Sequence, residues 1–267
     1  TDAQKAFDFL AAGDTLTLTY TVHATDDSGQ TNANSETQTI TITITGTNDG
    51  PVLTNDTASI TEDASPNTVS GDVTNTSDTD ADYGEDHANM TVIGAKEDTA
   101  GTAADIATGA TGTTISGLYG TLTLHQDGTY SYALNNANTA VNALAATEKL
   151  YDTFDITVQD HGGDKASQTL TVTINGANDA PVISASAAAS LTESDSVLSA
   201  TGNLTLTDVD KTNTVTTGVT VGVSGSGNHS GVPNNAALLS MFVLAGGSLD
   251  SSQTSGEMTW TFTGANA

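Results

Sequence analysis

The chain repeats itself after 130 residues, and this periodicity constrains its fold more than any other feature. Asn48-Asp49-Gly50-Pro51-Val52 returns as Asn178-Asp179-Ala180-Pro181-Val182. Each copy follows an alternating run, at 39–46 and 169–176. Each precedes a Ser-Ile/Leu-Thr-Glu motif, at 59–62 and 190–193. An acidic alternation comes next, Asp78-Thr79-Asp80 and then Asp208-Val209-Asp210. Tyr130-Ser131-Tyr132 matches Trp260-Thr261-Phe262. Upstream, the run from Leu10 to Asp14 pairs with Leu144 to Glu148, and Tyr20-Thr21-Val22 with Asp26 pairs with Phe154-Asp155-Ile156 with Asp160. Self-similarity at a fixed period is the signature of a modular array.

The matches set the expected organisation. Residues 1–49 are the C-terminal part of one β-sandwich repeat, 50–179 a complete repeat, and 180–267 the N-terminal part of a further repeat. The two partial pieces have 88 and 49 residues, 137 together, against 130 for the whole repeat. Asn266-Ala267 aligns with Asn136-Ala137, and Thr1 would follow naturally. The 267 residues therefore read as one period of an array with two alternating module types.

Period-2 alternation is clean at Leu16/Leu18/Tyr20/Val22, Ile40/Ile42/Ile44, Leu122/Leu124 and Leu170/Val172/Ile174. The positions between are mostly Thr, about one residue in five of the chain. Such strands pack one face and wet the other, the antiparallel pattern. Turn signals recur at Ser28-Gly29, Asp127-Gly128 and Gly162-Gly163. With 36% hydrophobic and 4% aromatic residues, the composition suits narrow sandwiches with Greek-key connections rather than one large core. Short helical segments are predicted at 137–146 and 234–245. The stretches 94–117 and 224–236, poor in bulky apolar residues, read as long loops.

Charge excludes several function classes. There are 32 Asp and Glu against 5 Lys and no Arg, a formal net charge of −27. Nucleic acid and anionic membranes both need clustered basic side chains, so neither is a partner. No run of about 18 apolar residues exists to insert into a membrane. Cys is absent, which removes disulfides and thiolate metal sites. No Gly-x-x-x-x-Gly-Lys loop or Gly-x-Ser-x-Gly elbow is present. Acid repulsion on this scale calls for high salt or bound cations.

The run from Asp127 to Asn136, then Leu144 to Glu148, Phe154 to Asp160, and Gly176-Ala177-Asn178-Asp179-Ala180-Pro181, resembles the VCBS repeat. That is a cadherin-like module of large bacterial surface adhesins, many of them RTX adhesins exported by type I secretion. The resemblance covers 50–179 and both flanking pieces, which look like a sister subtype with Trp260/Phe262 and Phe7/Phe9 as aromatics. No Gly-Gly-x-Gly-x-Asp nonapeptide is present, so the RTX coil itself is not in this sequence. The resemblance implies an all-β chain of tandem Ig/cadherin-like antiparallel β-sandwiches, joined end to end in an extended rod.

Strand order then sorts the acids. Ca²⁺ takes six to eight oxygens from carboxylates, amides and carbonyls. Asp-x-Asp in an extended segment aims two carboxylates the same way. Asn-Asp just before Pro sits on a short stiff linker. In such a module Asp160 and the Asp-x-Asp pairs fall at the N-terminal end, whereas Glu62, Glu193, Asp14 and Glu148 fall at the C-terminal end. Two interdomain clusters follow: Asp14, Asn48, Asp49, Asp78, Asp80 and Asp160; and Glu62, Glu148, Asn178, Asp179, Asp208 and Asp210. Asp82 and Asp164 are further candidate ligands. Cadherins, which these modules resemble, bind Ca²⁺ between domains with this arrangement. The five His are scattered without metal-binding spacing, and the paired aromatics read as core residues plus one outward ring.

The expected function is a Ca²⁺-stabilised, non-catalytic stalk or filament segment of a secreted adhesin at the bacterial cell surface, active in adhesion and biofilm. Its partners are adjacent repeats of the same chain and identical chains in a filament. The alternatives are a ligand-binding module for surface glycans, using the 94–117 or 224–236 loops, and an accessory repeat region of a secreted hydrolase.

Overall fold

Alternation of threonine with mostly aliphatic residues sets the strands at 15–22, 38–45 and 169–175, because successive side chains of an extended backbone point to opposite faces. The computed structural model describes residues 5–30, 36–98, 103–109, 111–184, 187–193 and 195–264. The matches expected at Thr1, Asn266 and Ala267 lie outside the described residues. Strands β1 (Thr15–Val22) and β2 (Gln38–Thr45) form a separate two-stranded antiparallel hairpin, with Tyr20 opposite Ile40 and Leu18 opposite Ile42.

The complete repeat supplies β3 (Asp56–Thr61), β4 (Thr68–Asp72), β5 (Thr91–Glu97), β6 (Ala104–Asp105) and β7 (Thr113–Ser116). It continues with β8 (Gly120–Leu124), β9 (Thr129–Leu134), β10 (Lys149–Gln159) and β11 (Lys165–Asn175). These strands make two sheets, in the orders β3-β11-β10-β5-β6 and β4-β9-β8-β7. The remaining elements are β12 (Val182–Ser184), β13 (Leu198–Thr207), β14 (Val215–Thr216), α1 (Asn235–Ser240), β15 (Phe242–Ala245), β16 (Ser248–Leu249) and β17 (Ser255–Gly264). They form a sheet β12-β13-β17-β15 and a small pair β14-β16. The chain divides into two compact units. One comprises Thr1–Ile60, Ser65–Asn135 and Tyr151–Thr173; the other comprises Thr61–Ala64, Asn136–Leu150 and Ile174–Ala267.

In the first unit the inward residues of facing strands are fully buried, among them Val92, Leu122, Leu124, Tyr132, Phe154, Ile156 and Leu170. Tyr132 on β9 meets Phe154 on β10 edge-on, with ring centroids 6.2 Å apart at 64°. That contact joins one sheet to the other. Beside it lies Asp152, wholly buried. Its carboxylate accepts from the Tyr132 hydroxyl at 2.6 Å, from Leu118 N at 2.7 Å and from Tyr119 N at 3.0 Å. Gly117 is required here, since a Cβ at this position would sit 2.4 Å from the Asp152 Oδ2. In the second unit, Leu206, Val215, Leu249 and Met258 form a small core, with Leu204 and Leu244 packed against it.

Four expectations need correction. The stretch 94–117 is not a long loop. It holds the end of β5, all of β6 and β7, and the buried residues Ile106 and Ile115. Small residues suffice there because β6 is a two-residue edge strand. The stretch 137–146 forms turns rather than a helix. Its apolar residues Val141, Leu144 and Ala145 are buried nonetheless. In 234–245 the helix ends at Ser240 and β15 takes over, with the Asn234 side chain capping the helix by accepting from Ala237 N. Finally, Tyr130 and Tyr132 are both buried, because residues two apart share a face.

Asp152→Ala leaves three donors without their acceptor, two of them backbone amides. It should lower stability by about 3 kcal/mol or more, read as an unfolding midpoint shift in urea, whereas Tyr132→Phe should cost about 1–2 kcal/mol.

Candidate metal centres

The first centre grows from the Asn48-Asp49 linker that leaves β2. The Asp49 amide donates to the Asp82 Oδ2 at 3.0 Å, and the Asp82 amide donates to the Asp80 Oδ1 at 3.0 Å. The Asn48 Nδ2 donates to the Asp160 Oδ2 at 3.1 Å and to the Asp164 Oδ2 at 2.8 Å. Asp160 is placed by the turn between β10 and β11, where its Oδ1 accepts from Gly163 N and Asp164 N. One carboxylate oxygen from each of Asp80, Glu85 and Asp160 converges, all within 4.8 Å of one another. Glu85 is aimed there by accepting from the His161 amide at 3.2 Å.

Three oxygens of this centre, Asn48 Oδ1, Asp80 Oδ2 and Asp82 Oδ1, are buried without a hydrogen-bond partner. Buried polar oxygens in native proteins are normally paired. Burial pushes the Asp80 carboxyl up, and the charges of Asp82 and Asp160 push the same way. Burial likewise raises Glu85, with Asp80, Asp160 and Asp82 adding to it. Asp49 is raised by burial and by Asp82 and Asp8. Each group is therefore held where its charged form is disfavoured, as expected where a cation is needed to complete the site.

The second centre repeats the plan. The Asp179 amide donates to the Asp210 Oδ2 at 3.0 Å, and the Asp210 amide donates to the Asp208 Oδ1 at 3.0 Å. The Asn178 Nδ2 bonds the Asp179 carbonyl at 2.7 Å, as the Asn48 Nδ2 bonds the Asp49 carbonyl at 3.1 Å. Glu62 follows β3; its Oε1 accepts from Ala177 N at 2.9 Å. The Glu148 Oε2 accepts from Ala145 N at 3.0 Å. The orphaned buried oxygens are Glu62 Oε2, Asp179 Oδ2 and Asp210 Oδ1. Burial pushes the Glu62 carboxyl up to about 7, and Asp63, Asp179 and Asp210 add to that. Burial also raises Asp210, with the charges of Asp208, Asp179 and Glu148 acting in the same direction. Asn213 bridges the site, donating to the Asn178 Oδ1 at 2.9 Å and to the Asp210 Oδ2 at 2.8 Å.

The two centres correct the sequence register. Asp80 and Asp82, not Asp78 and Asp80, occupy the places of Asp208 and Asp210, since the linker amide and the amide-to-carboxylate bond recur at those pairs. Asp78 is buried elsewhere. Both its oxygens accept backbone amides, Thr54 N at 2.8 Å and Asn75 N at 3.1 Å, so it holds a loop instead. Asp14 is exposed and stands outside the converging oxygens, as does Glu193. Sequence reasoning missed Glu85, Asp63 and Asn213. The Asp78-Thr79-Asp80-Ala81-Asp82 run offered the one usable signal, because its alternation has two registers and only one fits the linker.

Residues 48–176 match the family model of the bacterial cadherin-like domain. No curated protein matches the chain in sequence. Among solved structures the chain is similar to the extracellular cadherin domains 1–5 of Protocadherin Gamma B2, at 16% identity and a TM-score of 0.44. That match covers 98% of this chain and 40% of the other. It is also similar to the extracellular cadherin domains 1–4 of Protocadherin Gamma B7, at 16% identity and a TM-score of 0.41, covering 95% of this chain and 49% of the other. The chain thus spans less than half the length of either. Over residues 48–176 this nearly all-β chain therefore carries a bacterial cadherin-like domain, in line with the expectation from the VCBS resemblance.

Proposed function

We propose that the chain is a Ca²⁺-stabilised structural segment of a secreted bacterial surface adhesin, serving in a stalk or filament for adhesion and biofilm. The observation that carries this reading is the pair of oxygen clusters at Asn48-Asp49 and Asn178-Asp179, alike in their bonding and both holding buried oxygens without partners. Hard oxygen donors without Cys or His suit Ca²⁺, and the number of carboxylates suits its high coordination better than that of Mg²⁺, which keeps its waters. At the first centre Asn48, Asp49, Asp80, Asp82, Glu85 and Asp160 would hold the ion. At the second Glu62, Glu148, Asn178, Asp179, Asp208 and Asp210 would hold it. Ca²⁺ supplies the positive charge that lets these acids converge; the role is ligation without turnover.

On this reading the repeat boundaries fall at the linkers, giving modules 1–49, 50–179 and 180–267. The work is mechanical and extracellular, with neighbouring repeats and identical chains as partners. Among the described residues no helix is long and apolar enough to cross a membrane.

Calorimetric titration with Ca²⁺ should show binding, and the melting temperature should rise with Ca²⁺ and fall back with EDTA. Asp82→Asn should weaken the first centre at least about tenfold while leaving the second, and Asp210→Asn should do the reverse. Melting and scattering curves indifferent to chelation would end the Ca²⁺ reading.

A pH dependence follows for the metal-free chain. Burial pushes Asp56 up to about 6 from 3.8, with Asp78 adding to it, and Glu62 up to about 7 from 4.5. In that interval the folded chain holds protons that the unfolded chain has released, so stability falls as pH rises through it. In EDTA the urea midpoint should therefore be lower at about pH 7.5 than at about pH 5, and Asp56→Asn should flatten the acidic half of that slope. A midpoint that climbs over this range contradicts the assignment.

A further inference from the structure

We propose that one backbone position, Glu85 at the first centre and Asn213 at the second, makes the two centres unequal in cation affinity: the carboxylate adds a ligand, whereas the amide is an internal stopper that must swing out before the centre fills. This rests on the Ca²⁺ reading above and concerns how that site is tuned.

Backbone pairing fixes the equivalence. Val52 pairs with Thr79 just before Asp80, as Val182 pairs with Thr207 just before Asp208. A turn follows the second Asp in both, at Tyr83-Gly84 and at Lys211-Thr212. Glu85 and Asn213 come next, each after the Asp whose Oδ2 receives the linker amide, Asp82 or Asp210. The spacing from Asp80 to Glu85 equals that from Asp208 to Asn213. The difference is one of residue type at one place.

The two side chains act in opposite senses. Glu85 brings a negative charge, with one oxygen within 4.8 Å of oxygens of Asp80 and Asp160. Its Oε2 accepts from the His161 amide at 3.2 Å, which aims it inward. Around it Asn48 Oδ1, Asp80 Oδ2 and Asp82 Oδ1 are buried without a partner. Asn213 brings N–H donors instead. Its Nδ2 donates to the Asn178 Oδ1 at 2.9 Å and to the Asp210 Oδ2 at 2.8 Å. The Asn178 oxygen, counterpart of the unpartnered Asn48 oxygen, is thus already satisfied. Asp210 is wholly buried, and its Oδ1 remains without a partner, so the second centre still has an oxygen to offer. The turn acts in the same direction: Lys211, one of the five lysines, stands where the first centre has Tyr83.

Affinity is the difference between the filled and the empty centre. Ca²⁺ affinity rises with the number of charged ligands. Glu85 lowers the energy of the filled first centre and, by like-charge repulsion, raises that of the empty one. Asn213 lowers the energy of the empty second centre by hydrogen bonding its oxygens. Both differences make the first centre the tighter. In an array of alternating modules, every second junction would then empty first as Ca²⁺ falls.

Calorimetric titration with Ca²⁺ of isosteric variants tests this. In a chain carrying Asp80→Asn and Asp82→Asn, where only the second centre is intact, Asn213→Asp should tighten binding about tenfold. In a chain carrying Asp208→Asn and Asp210→Asn, Glu85→Gln should weaken the first centre about tenfold or more. Without metal the signs reverse. In EDTA, Asn213→Asp should lower the melting temperature by about 2–4 °C, since it loses two donated bonds and gains a charge, and Glu85→Gln should not lower it. Should Asn213→Asp fail to fold in EDTA, Asn213→Ala decides. It removes the stopper without adding a ligand and should still tighten the second centre about threefold, whereas weaker binding would make Asn213 a ligand and overturn the proposal. If the parent chain binds no Ca²⁺, the Ca²⁺ reading falls and this proposal with it. If the parent binds Ca²⁺ but Asn213→Asp fails to tighten the second centre, or Glu85→Gln leaves the first unchanged, the proposal alone is refuted.

Discussion

The closure of one sheet upon another, fixed where Tyr132, Phe154 and Asp152 meet, is the contact on which the rest of the complete module depends. A narrow sandwich with few aromatics has little area to spare. The burial of Leu122, Leu124, Ile156 and Leu170 follows only when β10 and β11 lie over β8 and β9. Asp152 adds direction to this apolar contact, because it collects three hydrogen bonds from two different segments and so fixes how β10 sits against the turn before β8. The turns that position Asp160 and Glu148 are the ends of that same strand and its approach. Core closure therefore presents the linker acids.

Those acids work against the fold that presents them. Asp80, Glu85 and Asp160 converge within 4.8 Å, and burial raises Asp80 and Glu85. A chain with no Arg and five Lys has few internal cations to answer them. Among the described residues the one ion pair joins Lys96 to Asp155, on exposed strand faces. On the proposed reading a divalent cation would answer them, since one ion serves several carboxylates and would place its charge where the orphaned oxygens are.

Much of this was legible in the sequence because it rests on local pattern. Period-2 alternation located β1, β2, β8 and β11, and the repeated Asn-Asp before Pro located both linkers. What failed depended on context. The 94–117 stretch was too poor in bulky residues to read as strands, yet Ile106 and Ile115 suffice once β6 and β7 have partners. Asp78 and Asp80 looked like the counterparts of Asp208 and Asp210, because an alternation of three acids has two registers and no local feature chooses between them. The choice is made by the Asp49 amide, 33 residues away in sequence from the carboxylate it bonds. Glu85 and Asn213 were invisible for the same reason: each reaches its site from a loop whose path the strand pattern does not set.

The chain's faces and ends are segregated by charge, and this separates two jobs that one surface could not do together. The alternating strands carry Thr outward and aliphatics inward, so a hairpin such as β1–β2 can bury its apolar face without desolvating an ion. The acids of the two centres lie in turns and linkers outside the strands, where backbone amides and a cation can meet them.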